Sequence, residues 1–330
     1  MFDPKKINQA TVIGAGSWGT TIANILTGNI SEVILWGRNE EDINEINSDH
    51  VNRRFLPNLT LPNNLTATTE YEDAFSNSEL FVWAIPVQFT RERLMDCGHW
   101  FPEGAIMINL SKGLESDSWY GPSEVIAQVC SQLGYIGTLS GPNLAAEISA
   151  GKPASATLAV KNYWELAGIE KLFSSRNFHV GLSPHLTALE VAGALKNIIA
   201  IAAGICDGMD LGWNIKSSVI AKGFGEMQLI GGALGANKDS FSSVFALGDL
   251  VATCGSPSSR NRTLGERIGM GETLEQAKLA LNGRVAEGVA TTFSCYQFAK
   301  KIGIELPLMS LVHDTLVGGV NSENFVTRAL

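Results

Sequence analysis

A glycine-rich turn near the start of the chain carries a specific chemical signal. Gly14, Gly16 and Gly19 follow the apolar run 10–13, and the segment 20–26 after them is typical of a helix. In such a strand–turn–helix unit, glycines at this spacing permit a tight turn and let the backbone approach a pyrophosphate. The helix N-terminus then presents its N–H groups to the anion. The sequence therefore predicts a site for NAD or NADP; a glycine-rich turn of another α/β protein is the alternative.

A cation follows the second predicted strand, at the position that distinguishes the two cofactors. The strand 32–36 is followed by Gly37 and Arg38. In an NAD site an Asp or Glu usually ends this strand and binds the ribose hydroxyls. A guanidinium can instead pair with the 2′-phosphate of NADP. NADP(H) is therefore favoured and NAD(H) stays open. A solvated surface charge is the alternative for Arg38, and it is the expected state of Arg53 and Arg54.

A lysine within an apolar segment is the second candidate for chemistry. Lys196 lies in the otherwise apolar stretch 193–205. Burial disfavours a charged ammonium, so a lysine in such a place suits proton transfer to or from a carbinol oxygen. The alternative is a lysine whose stem packs on a partly exposed helix while its charge reaches water. The segment alone does not decide between the two.

The elements that must position these groups fall into two parts of the chain. Before residue 185, short apolar runs alternate with helical patterns, which is typical of parallel βαβ units. Later strands are predicted at 81–85, 105–110, 136–139, 156–160 and 178–181. Beyond Ser183 and Pro184, apolar stretches with helical periodicity dominate. We predict a Rossmann-type NAD(P)-binding domain with a doubly wound parallel sheet over 1–185, and an all-helical substrate and catalytic domain over 186–330.

Composition argues against several other classes of protein. A net charge of −9 does not favour a general nucleic-acid surface. The densest apolar run, 198–205, is too short to cross a bilayer, so no membrane span is expected. The five cysteines form no CxxC pair and the five histidines are scattered. We therefore expect free buried thiols, no metal site, and a cytoplasmic protein.

In its ordered motifs the chain resembles the NAD(P)-dependent sn-glycerol-3-phosphate dehydrogenases of the bacterial and plastid type. The segment 193–214 is similar to that family's sequence around its catalytic lysine. The resemblance covers nearly the whole chain and continues through the segments 12–20, 35–38, 55–57, 111–115, 140–142, 247–250, 258–262 and 285–288. It implies reversible NAD(P)H-dependent reduction of dihydroxyacetone phosphate to sn-glycerol 3-phosphate, which supplies glycerophospholipid synthesis.

The resemblance also implies roles for particular residues. Lys196 is expected to be the general acid/base toward the ketone oxygen. Lys112 is expected beside the reacting centre, where it contacts substrate and cofactor. Asp249 is expected to orient the lysine or a substrate hydroxyl. The further residues implied to bind substrate are Gly141, Asn143, Ser259, Arg260 and Asn261. The residues implied to bind the cofactor are Gly14, Gly16, Ser17, Trp18, Gly19, Arg38, Lys112, Ala145, Arg260, Val285 and Glu287.

Two features bear on the implied substrate site. Ser259, Arg260 and Asn261 offer a hydroxyl, a guanidinium and an amide, all suited to a phosphate dianion. Asn143 departs from the family pattern, because many members have Ser or Thr there. An amide can still donate and accept hydrogen bonds, so we keep this position in the predicted site.

Two other functions stay open. A related reductase for another hydroxy acid or sugar acid would share both domains, but the run Ser259, Arg260 and Asn261 argues against unphosphorylated substrates. A non-catalytic NADP-sensing module would not need Lys112, Lys196 and Asp249. The apolar residues of the helical domain fit a homodimer, and the core of a monomer explains them equally well.

Overall fold

The structure is a computed structural model that describes residues 3–281, 285–318 and 322–329. Strands alternate with helices up to residue 183, and the described elements after that point are helical. The strands are β1 Gln9–Ile13, β2 Glu32–Trp36, β3 Val51–Asn52, β4 Leu56–Thr60, β5 Leu65–Thr68, β6 Leu80–Trp83, β7 Ile106–Asn109, β8 Tyr135–Ser140, β9 Ala154–Val160 and β10 Phe178–Ser183.

The α-helices are α1 Ser17–Leu26, α2 Glu40–Asp49, α3 Tyr71–Phe75, α4 Val87–Cys97, α5 Pro122–Val129, α6 Ala145–Ser149, α7 Leu186–Gly208, α8 Gly212–Ala233, α9 Asp249–Gly255, α10 Arg260–Gly269, α11 Leu274–Leu279, α12 Gly288–Ile302, α13 Pro307–Leu316 and α14 Ser322–Ala329. Short 3-10 helices cover Pro4–Lys6, Gly98–Trp100, Ile169–Lys171 and Lys238–Ser242, and a π-helical turn covers Val244–Gly248.

An eight-stranded sheet has the order β10-β9-β8-β7-β6-β1-β2-β5. From β8 to β5 all neighbours are parallel, as the Rossmann-type prediction requires. One feature differs from the predicted parallel sheet. β9 runs antiparallel to β8, and β10 is parallel to β9. The apolar pattern of a buried strand carries no information about its direction, so the sequence did not show this reversal.

Both faces of the sheet are covered, which confirms the doubly wound arrangement. Successive strand residues point to opposite faces. Val12 packs in the core that contains Ile22 and Leu26 of α1. Its neighbour Ile13 packs in the other core, with Trp83 of β6. These strands are therefore apolar at successive positions rather than alternating, as expected for a sheet buried on both sides.

The chain forms two compact units. The first comprises Met1–Lys112 and Tyr120–Leu186, and the second comprises Gly113–Trp119 and Thr187–Leu330. The second unit therefore includes a segment that sequence analysis placed in the first domain. Within that unit, Trp119 stacks on Phe298 of α12, with ring centroids 4.2 Å apart. The division of cofactor and substrate binding between the two domains stays a prediction.

Helix α7 supplies much of the core of the second unit. Among the described residues it is the one helix long and apolar enough to cross a membrane by length and composition. It is longer than the run 198–205 considered from sequence. The apolar window of this helix is 100% buried inside the protein. Its apolar character is thus accounted for by packing against the rest of the second unit.

Candidate active site

Strand β1 leads into the glycine-rich turn, where each glycine has a distinct structural reason. Gly14 has φ +122°, a conformation that favours glycine, and its N–H donates to the Trp36 carbonyl at 2.9 Å. A Cβ on Gly19 would collide with the Gly14 carbonyl oxygen, so α1 packs directly on the turn. A Cβ on Gly16 would meet nothing within 4 Å, and no side chain caps α1. Open space at an uncapped helix N-terminus fits a pyrophosphate.

Arg38 follows β2 close to this turn. A Cβ on Gly37 would lie 2.9 Å from the Ala15 Cβ, which shows how closely the chain passes the turn. Arg38 is exposed, and its guanidinium makes no hydrogen bond or ion pair with any residue that the structure describes. Arg53 and Arg54 are instead ion-paired with acidic side chains of α2. The role of Arg38 toward the cofactor stays a prediction.

Three predicted substrate residues of the first unit follow two neighbouring strands, Lys112 after β7 and Gly141 and Asn143 after β8. Lys112 Nζ donates to the Gly141 carbonyl at 2.9 Å. Asn143 Nδ2 donates to the Ser155 carbonyl at 2.9 Å, while the Asn143 Oδ1 is buried and has no hydrogen-bond partner among the described residues. A Cβ on Gly141 would lie 2.9 Å from the Ser155 carbonyl oxygen, so this position needs glycine. The side-chain oxygen of Asn143, Oδ1, can therefore still accept a hydrogen bond.

The other residues predicted to contact the cofactor lie in both units. Ser17 and Ala145 are the first residues of α1 and α6. Trp18 is partly buried and packs edge-on against Phe178, with ring centroids 6.2 Å apart. Its indole therefore also contributes to packing in the first unit. Two further positions lie in the second unit just before α12: Val285, which is 67% exposed, and Glu287.

The second unit buries Lys196 with an acidic partner. Lys196 is 6% exposed and Asp249 is 2% exposed. Lys196 Nζ donates to Asp249 Oδ1 at 2.6 Å and to Thr253 Oγ1 at 2.9 Å. The charge is thus buried and paired, which excludes the alternative of a lysine reaching into water. The Asp249 carboxylate and the Thr253 hydroxyl fix the position of the Lys196 Nζ.

Helix α9 places both partners of the lysine. Asp249 is its first residue, where the helix dipole favours a carboxylate. Thr253 lies one turn later, and its hydroxyl donates to the Asp249 carbonyl at 2.6 Å. Sequence analysis missed Thr253. The signal that could have found it is its spacing of four residues from an acid, because side chains four apart share one face of a helix.

The predicted phosphate-binding run lies at the N-terminus of α10. Ser259 caps the helix, and its Oγ accepts a hydrogen bond from the Arg262 N–H at 3.3 Å. Arg260 is the first helical residue and is exposed. Its guanidinium has no hydrogen-bond or ion-pair partner within the described part of the chain. A hydroxyl, a guanidinium and the first N–H groups of a helix are therefore placed together.

Asn261 is engaged inside the protein. Its Nδ2 donates to Asn197 Oδ1 at 2.9 Å, and its Oδ1 accepts from the Gly288 N–H at 2.9 Å. The side chain is buried and joins α7, α10 and the start of α12. Asn261 therefore fixes the start of α10, and its contact with the substrate stays a prediction.

The histidine, cysteine and acidic side chains bear on metal and thiol chemistry. Within the ranges that the structure describes, no group of three or more His, Cys, Asp or Glu side chains could hold a metal ion. All five cysteines are buried and free. Burial raises the pKa of the Cys254 thiol, next to Thr253 in sequence, to about 12. This thiol is therefore protonated at neutral pH and is a poor nucleophile.

Comparisons with known proteins agree with this geometry. The model of the NAD-dependent glycerol-3-phosphate dehydrogenase N-terminus matches residues 9–165, and that of the C-terminus matches residues 185–327. The chain belongs to this family. A glycerol-3-phosphate dehydrogenase [NAD(P)+] of Corynebacterium glutamicum is 40% identical over 306 residues, covering 92% of each chain. That of Bacillus subtilis is 36% identical over 322 residues, covering 97% of this chain and 93% of the relative.

The fold agrees as well. The crystal structure of glycerol-3-phosphate dehydrogenase from Coxiella burnetii superposes with a TM-score of 0.90 at 29% identity. It covers 97% of this chain and 98% of the Coxiella chain. For a member of the NAD-dependent glycerol-3-phosphate dehydrogenase family, the glycine turn, the uncapped N-terminus of α1 and the unpaired Arg38 fit a dinucleotide. The predicted family and its NAD(P) cofactor are thus confirmed, and the roles of individual site residues stay predictions.

Proposed function

We propose that this chain reduces dihydroxyacetone phosphate to sn-glycerol 3-phosphate, reversibly, with NADPH preferred over NADH. The observation that carries the proposal is the buried pair of Lys196 and Asp249 in the unit that also carries Arg260. A proton donor and an unpaired guanidinium are the two groups that a phosphorylated ketone requires for reduction. Family membership supports the same reaction.

Lys196 is the proton donor in this mechanism. When bound, the nicotinamide supplies a hydride to the carbonyl carbon. As negative charge develops on the ketone oxygen, Lys196 Nζ donates its proton there and the alcohol forms. Asp249 and Thr253 hold Nζ through bonds of 2.6 and 2.9 Å, which fixes the direction of the proton. In the reverse direction neutral Lys196 accepts the proton of the alcohol.

The remaining side chains bind and orient the substrate. Arg260, with the Ser259 hydroxyl and the first N–H groups of α10, receives the phosphate dianion. Lys112 adds a second ammonium for the substrate and cofactor. Gly141 and Asn143 complete the substrate contacts, and the Asn143 Oδ1 can accept a hydrogen bond from a substrate hydroxyl.

The cellular setting belongs to the same proposal. The product supplies the backbone of glycerophospholipids, and the cytoplasm is the proposed location. Five free thiols support a reducing compartment. A homodimer is the proposed assembly; exposed apolar side chains of the second unit, Met270 and Leu279, support it. Sedimentation velocity would distinguish the dimer from a monomer.

The experiment that tests the proposal compares two ketones. NADPH oxidation is measured with dihydroxyacetone phosphate and with unphosphorylated dihydroxyacetone, in wild type and Arg260→Ala. A charge-assisted hydrogen bond contributes about 1.5–3 kcal/mol, or roughly ten- to a hundredfold in affinity. Arg260→Ala should therefore lower kcat/KM by about that factor for the phosphorylated ketone alone.

Two further variants complete the design. Arg260→Lys should rescue only part of the loss, because it supplies the charge without the two-pronged geometry. Arg328→Ala, which removes an exposed arginine paired with Asp314, is the matched control and should leave both ketones unchanged. A parallel loss on both ketones in Arg260→Ala would assign Arg260 to the cofactor or the fold. Wild-type protein without activity on dihydroxyacetone phosphate would refute the proposed reaction.

A further inference from the structure

Helix α10 is in close backbone contact with the C-terminal part of α7, residues 201–208. A Cβ on Gly204 of α7 would collide with the Arg262 carbonyl oxygen, and a Cβ on Gly265 of α10 would collide with the backbone of α7. The same close approach recurs one turn further along, at Gly208 and Gly269. Helix α7 carries Lys196, the proposed acid, and α10 begins with Arg260, the proposed phosphate anchor. This contact therefore connects the helices of the two residues.

A partly buried cluster of charges, formed by Asp207, Lys216, Arg262 and Glu266, ties the same helices together. Both Asp207 oxygens accept from Lys216 Nζ at 2.8 Å, and Asp207 Oδ2 also accepts from Arg262 Nε at 2.7 Å. Arg262 Nη1 lies 3.3 Å from Glu266 Oε2. Lys216 is 4% exposed and lies over the Trp213 ring at 4.7 Å. The two cations and two carboxylates balance.

The position of Asp207 is electrostatically unfavourable without these cations. It lies in the last turn of α7, where the helix dipole opposes a carboxylate. The mechanism above does not use this carboxylate. The Asp207 carboxylate instead holds the side chain of Arg262, which lies in the first turn of α10 two residues after Arg260.

Helix α10 is thus held to α7 at two points. Near the acid, the Asn261 amide bonds to Asn197, which is adjacent to Lys196. About 15 Å further along α7, Asp207 holds the Arg262 side chain. The two attachments leave α10 from the consecutive residues Asn261 and Arg262 and reach opposite directions along α7, so they oppose sliding of the start of α10 along α7. The first turn of α10 therefore has a fixed distance from Lys196 Nζ.

We propose that Asp207 is a positioning residue that, through Arg262, sets the distance between the phosphate-binding start of α10 and Lys196, and so selects the phosphorylated substrate. This inference rests on the proposed function. A shift of α10 would move the phosphate anchor relative to the proton donor. It would weaken use of the phosphorylated ketone without affecting a ketone that lacks the phosphate.

The test is a change of charge at constant shape, Asp207→Asn. We expect kcat/KM for dihydroxyacetone phosphate to fall by about tenfold or more, while that for dihydroxyacetone changes by less than about threefold and the KM for NADPH is unchanged. A binding readout accompanies the kinetics. The Kd of dihydroxyacetone phosphate in the presence of NADP⁺, which cannot reduce it, should rise by a similar factor.

Two more variants separate positioning from stability. Asp207→Asn leaves two cations facing one carboxylate, so the double variant Asp207→Asn with Lys216→Met restores charge balance and should show the same loss of selectivity. Glu226→Gln is the matched control. It alters a buried carboxylate of the second unit outside the cluster, which accepts the N–H groups of Leu308 and Met309 at 2.6 and 2.9 Å. It should lower Tm and leave the ratio of the two kcat/KM values unchanged.

The outcomes are distinct. A folded Asp207 variant with the wild-type ratio would overturn the proposal. Failure of both Asp207 variants to fold would also overturn it, because the cluster would then serve stability alone. If wild-type protein does not oxidise NADPH with dihydroxyacetone phosphate, the proposed function fails instead, and the binding measurement still reports whether Asp207 affects the phosphorylated ligand.

Discussion

At the scale of single residues, the chemistry depends on which charges are paired inside the protein and which are kept for a ligand. Lys196 is paired with Asp249, so its proton has a defined direction. Among the described residues, the guanidinium groups of Arg38 and Arg260 have no partner. We therefore expect each of these arginines to bind one phosphate, that of the cofactor for Arg38 and that of the substrate for Arg260.

Arg38 should determine cofactor preference. We expect Arg38→Ala to raise the KM for NADPH by about tenfold or more and to change that for NADH little, because only NADPH carries the 2′-phosphate. Steady-state kinetics with both cofactors measure this. Arg54→Ala is the control, since Arg54 is exposed but paired with Asp42. Equal effects of Arg38→Ala on the two cofactors would show that Arg38 does not bind that phosphate.

Sequence predicted residues whose type alone carries chemistry, such as a lysine in an apolar helix. It could not find Thr253, because a threonine in a helix has many ordinary reasons to be there. It could not show the internal bonds of Asn261 either, since its partners Asn197 and Gly288 are distant in sequence. Contacts between distant segments are the information that a single sequence does not contain.

At the scale of elements, we expect two glycines of the glycine-rich turn to have different roles, Gly16 in cofactor binding and Gly19 in stability. Gly16 has φ −78°, and a Cβ there meets no protein atom within 4 Å, so Gly16→Ala should keep the wild-type Tm. Its methyl group would occupy the approach of the pyrophosphate, and NADPH should bind more weakly. Gly19→Ala would force α1 away from the turn and should cost about 1–3 kcal/mol of stability. Thermal unfolding and NADPH fluorescence titration measure the two effects. A wild-type Kd for NADPH in Gly16→Ala would contradict this account.

The elements themselves followed from sequence where they are apolar and buried. Strand β2 has the predicted bounds, and β6 ends two residues earlier than expected. Strands β4 and β5 were not predicted, because their exposed positions are polar and their apolar runs are short. The direction of β9 was not predictable, since direction depends on connections and partners rather than on the apolar pattern.

At the scale of the whole molecule, the thiols report whether the fold is intact. Burial raises the pKa of Cys97, Cys254 and Cys295 to about 12 and that of Cys130 and Cys206 to about 11. Thiolate is the reactive form, so iodoacetamide at pH 8 should label none of them in the native protein and all of them in denaturant. Mass spectrometry counts the adducts. Rapid labelling of native protein would show that the cores are open.

The predicted domain boundary near residue 185 rests on a change in sequence pattern, from alternating strands and helices to apolar stretches with helical periodicity. In the structure the chain passes from the first unit to the second between Leu186 and Thr187, and the segment Gly113–Trp119 belongs to the second unit. A segment of this length is too short to change the local composition, so the sequence did not show that it belongs to the second unit. The two family models divide the chain in a similar place, at residues 165 and 185.

The central claim is that Lys196 is the proton donor of a dihydroxyacetone phosphate reductase. The most direct measurement is kcat for NADPH oxidation by Lys196→Ala, together with the Kd for NADPH. The account predicts that kcat falls by at least roughly 10²–10⁴-fold, the usual effect of losing a general acid. NADPH binding should stay close to wild type, because the glycine turn and Arg38 belong to the first unit. Near wild-type turnover in a folded Lys196→Ala protein would contradict the account.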